Sequence, residues 1–165
     1  MMIIRTSASL NKKIHVAPLL SLPLCSNPFA DWSARLFTAD RAQYIVVTNT
    51  TSLYSVLMHG RGITDAGSFI QRTVTAIGEQ LREDALSFLF ERLIAPQTTQ
   101  VAFSKPLNPS VTGSLNDIVR QCQFHLAVRG LSPFDTARML AECPMGALGY
   151  AFPNKAFAKM SLEKE

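Results

Sequence analysis

The chain opens on MIIRT, a short β-branched-rich run that predicts a first strand within residues 1–6. After Leu10 the apolar positions lose their period and prolines interrupt them up to Asn27-Pro28. Residues 7–30 are therefore expected to form an ordered connector lying over the core, because leucines this dense rarely face water. Three apolar runs follow, WSARLFT (32–38), QYIVVTN (43–49) and SLYSVLM (52–58), with polar joints at Asp40-Arg41 and Thr50-Thr51. Short polar joints between β-rich runs predict consecutive hairpins, a meander over 31–60. In the middle run Tyr44, Ile45, Val46 and Val47 are all apolar, so that strand is expected to be interior and covered on both faces.

From Gly62 the period changes. Ala66, Phe69, Ile70, Thr73, Val74, Ile77 and Leu81 follow three-four spacing and predict an amphipathic helix capped by Thr64 or Asp65. Ala85, Leu86, Leu89, Phe90, Leu93 and Ile94 repeat the spacing in a second helix that Pro96 ends, so 63–95 holds two helices. TQVAFSK returns to strand character within 98–105, and Asn108-Pro109-Ser110 reads as a turn. Ser114 is expected to open the next helix and Ser132-Pro133 another, filling 114–142. Residues 143–165 form an apolar, glycine-containing return, a short helix from Asn154 and a fraying tail, SLEKE.

Hairpins followed by helices, without regular βαβ alternation, indicate an α+β fold. The expectation is an antiparallel or mixed sheet built on a three-stranded meander, with four to five helices covering one face. A length of 165 residues and 47% hydrophobic content suit a single globular domain over 1–165.

Charge narrows the partners. Lys and Arg outnumber Asp and Glu by 16 to 12, yet charged residues are only 17% of the chain and the basic ones are scattered. A nucleic-acid binder concentrates such charge into a stripe, so that role is open but not favoured. Cys25, Cys122 and Cys143 are odd in number and contain no C-x-x-C pair, which fits reduced thiols and a cytoplasmic location. Lys12-Lys13 followed by IHVAPLLSLPLC has the outline of an export signal, but Leu24 stands where a small residue is required and two prolines and His15 break the run. No run reaches the ~18 apolar residues of a membrane span.

The strings NPFADWSARLF, TNTTSLYSVL, GSLND and LGYAFP together resemble a small bacterial family catalogued only as a domain of unknown function. The likeness extends from Ile3 to Phe157. It implies a compact, soluble, cytoplasmic protein that begins with an Ile-Ile strand, and it brings no reaction.

Candidate chemistry is sparse. Asp31, Trp32 and Arg35 could present a stacking ring with two polar partners, or Trp32 could be a core residue with its N–H satisfied. On a strand, Trp32 and Ala34 point one way and Ser33 and Arg35 the other. Asn49 and the hydroxyls after it fit a polar ligand or a tight turn, with Asn49 accepting a positive φ. Ser114, Asn116 and Asp117 fit a helix cap, or a polar site that uses Asn116 and Asp117. A phosphate loop is excluded because VTGSLND has one glycine and no lysine. Cys122 and His125 share a helix face, but no second pair supports a metal site, so neither metal nor cofactor is expected.

Three functions compete. The first is a non-catalytic binding or protein-interaction module, alone or as a homo-oligomer, using the apolar stretch MGALGYAF. The second is a small enzyme or ligand-binding protein with a polar pocket formed by the ADW and GSLND segments, in which Asp31, Trp32, Arg35, Asn49, Ser114, Asn116 and Asp117 converge. Nucleic-acid binding through scattered arginines is the third.

Overall fold

The computed structural model describes residues 1–160, so the SLEKE tail lies outside the described residues. Five strands form one mixed sheet: β1 (Met2–Thr6), β2 (Asp31–Ala39), β3 (Ala42–Asn49), β4 (Ser55–His59) and β5 (Val101–Ser104), in the order β4-β3-β2-β1-β5. The meander is antiparallel, whereas β1 runs parallel to both β2 and β5. Among the described residues six helices accompany it: α1 (Ala8–Ile14), α2 (Ala66–Glu83), α3 (Ser87–Leu89), α4 (Pro109–Gln123), α5 (Pro133–Ala141) and α6 (Pro153–Lys159). An α+β architecture with helices over a meander-based sheet is thus observed.

The local chemistry explains most boundaries. Asp40 and Arg41 both take positive φ, 48° and 65°, as a two-residue turn between β2 and β3 requires. Asp65 caps α2 reciprocally with Ser68. Ser132 accepts from the Asp135 N–H with Pro133 in the first turn, so α5 begins where its sequence indicates.

Other expectations are corrected. Residues 7–30 are not all connector: Ala8–Ile14 is a helix whose Leu10 and Ile14, four apart, are buried, and Lys12-Lys13 sit favourably in its last turn. Leu19 and Leu20 do face water, at 83% and 70% exposure, because the segment is held through main-chain hydrogen bonds rather than by its side chains. The third meander strand begins at Ser55, three residues late, because Leu53 adopts a φ of 63° and prolongs the turn. Asn49 itself remains in β3. Pro96 does not end the second helix; after Leu89 the chain continues as a π turn, Phe90–Ile94, and a 3-10 turn, Ala95–Thr99, that accommodates the proline early.

The GSLND helix begins five residues before Ser114. Asn108 is its cap, accepting from the Val111 N–H, and Pro109 opens the first turn. The helices also cover both faces of the sheet rather than one. Trp32, Ala34, Ile45, Val47, Val56 and Met58 share one core with side chains of α1, α2 and α6, while Phe37, Val46 and Leu57 share another with α4 and α5. Burial of both faces matches the unbroken apolar run in β3.

Candidate functional site

The second face of the sheet carries a row of polar residues. Ser104, Arg5, Ser33, Thr48 and Ser55 stand side by side across all five strands, and every one is buried. Its hydroxyls are satisfied within the row or just beyond it: Thr48 and Ser55 share a hydrogen bond of 2.8 Å, and Ser33 bonds Thr50 at 2.8 Å.

Arg5 is the centre of this row. Its Nε and Nη2 donate to the two oxygens of Asp31 at 2.9 and 2.7 Å, and the remaining N–H groups go to Leu22 O, Pro23 O and Ser104 Oγ. All five donors of the guanidinium are used. Asp31 also accepts from Thr50 Oγ1 and from the Cys25 N–H. The pair therefore fastens the 22–25 connector to the sheet, and neither member is available to a ligand. This assignment follows from burial, since an ion pair removed from water persists only when its remaining valences are filled.

Trp32 and Asn49 are structural in the same sense. The Trp32 indole is fully buried on the opposite face from Arg35 and donates to Phe29 O at 2.8 Å, within a cluster that includes Phe157. Asn49 donates to Pro28 O, and its Oδ1 accepts from the Ser52 N–H and hydroxyl, closing the β3–β4 turn. Asp117 lies on the exposed side of α4 and pairs with Arg120 at 2.9 Å. Ser114, inside the helix, lines a separate shallow groove with Thr50, Thr51 and Leu148. Asp31 and Asp117 do not converge.

Arg35 and Asn116 do meet: Arg35 Nη1 donates to Asn116 Oδ1, joining the ADW and GSLND segments at one point. Beside this contact lies a cavity of about 180 Å³, formed by the end of β1, the middle of β2 and the first turns of α4. Arg35, Ser7 and Thr112 provide its polar groups, and Val111 and Leu115 its apolar ones, with the Ala34 main chain beside them. The cavity sits at the carboxyl ends of β1 and β5, where the chain, having built the sheet on one side of β1, returns to pair on the other. Ligand crevices of open sheets form at such reversals of strand order.

Arg35 is half-buried, and among the described residues it has no carboxylate partner. The other lining arginine, Arg5, is neutralised by Asp31. The lining holds no histidine, cysteine or carboxylate, hence no group suited to proton transfer near neutral pH. A larger cleft of about 440 Å³ between β4, α2 and the start of α5 is bordered by exposed Arg72, Thr75 and Glu79, each open to solvent. Among the described residues no three His, Cys, Asp or Glu side chains gather as metal ligands. Burial pushes the Cys122 thiol up to about 12, the wrong direction for a thiolate ligand.

Sequence reasoning found Arg35 and Asn116 but missed Arg5, Ser7, Thr112 and Leu115. One signal was present: Arg5 is the lone charge in a strand whose other residues are Met2, Ile3, Ile4 and Thr6. A family model described as "Domain of unknown function (DUF6933)" matches residues 3–156. No curated protein matches the chain.

Proposed function

Given that the chain belongs to this family of domains of unknown function, we propose that it is a non-catalytic binding domain that takes a small ligand in the cavity between β1, β2 and α4. The observation that carries this reading is Arg35, a half-buried guanidinium in a concave site with Asn116 as its side-chain partner and no carboxylate among the described residues. An unpaired cation held partly out of water is costly, and a ligand that supplies the missing charge recovers that cost. The lining supports binding rather than catalysis, because its side chains offer donors and apolar contact but no acid or base.

The experiment is a fragment screen by ¹H–¹⁵N spectra of the isotope-labelled protein. Binding here shifts the amides of Ser7, Ala34, Arg35 and Thr112 together, and the same fragments lose affinity in Arg35→Gln. Fragments that shift only amides along β4 and α2 would move the site to the larger cleft.

A protein-contact role has one specific support. Met145 is buried, but Tyr150 in the same apolar stretch is 77% exposed, held at a φ of 63° in a tight turn. Light scattering that gives a monomer at all concentrations would remove the homo-oligomer form of that reading. Nucleic-acid binding is less well supported, since Arg5, Arg120 and Arg138 are each engaged with a carboxylate. The three free cysteines suit a reducing cytoplasm, and no helix among the described residues is long and apolar enough to cross a membrane.

A further inference from the structure

The geometry points to a small monocarboxylate with a short apolar body as the ligand of the β1–β2–α4 cavity, an inference that rests on the binding role proposed above. Four features of the site define this class.

Charge comes first. Arg5 and Asp31 form a neutral pair with every guanidinium donor used, so Arg35 supplies the site's one uncompensated positive charge among the described residues. A single negative charge balances it. A dianion would bring a second charge that meets no cation in the lining.

The second feature is the donor pattern. Asn116 accepts from Nη1 of Arg35, which leaves the Nε–Nη2 edge of the guanidinium without a protein partner among the described residues. Two parallel N–H groups along that edge match the two oxygens of a carboxylate, a pairing that fixes orientation as well as charge. Asn116 thereby acts as a positioning residue that holds the guanidinium through Nη1.

Third is the rest of the lining. Ala8, Val111 and Leu115, with Pro106, give the cavity a predominantly apolar surface. The hydroxyls of Ser33 and Thr6, both buried, are already engaged with Thr50 and Asn11. A ligand decorated with hydroxyls would leave them facing hydrocarbon, at a cost in affinity. A hydrocarbon body would not.

The last feature is size. A volume of about 180 Å³ is close to that of an apolar cavity of about 150 Å³ that accepts benzene, and the site opens to solvent, so the part of the ligand held inside has on the order of six non-hydrogen atoms. Butyrate has that size, one negative charge and an apolar tail.

The test titrates the labelled full chain with butyrate, its neutral isostere butyramide, the dianion succinate and inorganic phosphate, reading the amides of Ser7, Ala34, Arg35 and Thr112. Butyrate is expected to bind on the order of tenfold more tightly than butyramide, which lacks the bidentate charged pair, and more tightly than succinate and phosphate, whose further charged or polar oxygens meet no partner in the lining. Arg35→Gln should remove that preference and bring butyrate to the level of butyramide, while Arg35→Lys, charged but without the fork, should fall between. The comparison of butyrate with butyramide uses the unaltered protein and does not depend on any variant folding.

Equal binding of butyrate and butyramide, or tighter binding of succinate or phosphate at the same amides, would overturn the ligand class and leave the binding role standing. If none of the four, and no fragment from the wider screen, shifts those amides, the binding role falls and takes the ligand class with it.

Discussion

Asp31 has its two carboxylate oxygens occupied by Arg5, Thr50 and the Cys25 N–H. Removing the carboxylate strands a fully buried guanidinium, so Asp31→Ala is expected to cost about 3–5 kcal/mol in urea unfolding, the range for breaking a buried ion pair from one side. The 22–25 segment should lose its amide protection in the same variant. A loss below 1 kcal/mol would mean that the pair contributes no more than a surface bridge. Cys122 gives a second residue-scale prediction: a buried thiol with a pKa of about 12 stays protonated at pH 8, so a thiol reagent should titrate Cys25 and Cys143 but not Cys122 until the protein unfolds. The chemical types at these positions were legible in the sequence. Their availability was not, because Arg5 lies 26 residues from Asp31, and nothing local to ADW shows that the carboxylate is already paired.

At the scale of elements, local grammar decided what could be read. Asn108-Pro109 and Ser132-Pro133 carry the same helix-start signal, a capping side chain followed by a proline that needs no N–H partner, and the structure uses both. Gly113 and Ser114 obscured the first, since a glycine before a serine looks like a boundary, yet the helix runs straight through them. Asn108→Ala should therefore destabilise the protein by about 1 kcal/mol, whereas Ser114→Ala should stay within about 0.5 kcal/mol in thermal unfolding. The reverse order would restore Ser114 as the cap. Asp65 at the start of α2 adds a pH signature. Hydrogen bonds from the Ser68 backbone N–H and side chain hold its carboxyl below the ordinary range, so the ionised form is favoured in the folded protein. Its stabilisation is present above the unfolded-state pKa and disappears as the pH falls through the lower, folded-state value. Asp65→Asn should flatten the acid limb of stability against pH and leave the neutral-to-alkaline part parallel to that of the unaltered protein.

The whole molecule combines a locally wired half and a long-range half. The meander was readable because its strands are joined by short turns that fix register. The parallel pairings of β1 with β2 and β5 were not, because about 25 and 95 residues intervene and no neighbouring side chain announces them. The cavity lies in that second half, between strands, a helix start and Arg35, so sequence alone could suggest Arg35 and Asn116 without the walls around them. A ligand that binds only the folded form should also raise its stability, by about 2.7 kcal/mol at a hundredfold excess over Kd. Ligand binding at Arg35 is tested most directly by a crystal structure of the protein with its tightest-binding fragment. Density is expected inside the β1–β2–α4 cavity, with acceptor atoms within hydrogen-bond distance of the Arg35 guanidinium and Asn116 still bonded to Nη1. Density in the β4–α2–α5 cleft, or an empty cavity at full occupancy elsewhere, would contradict it.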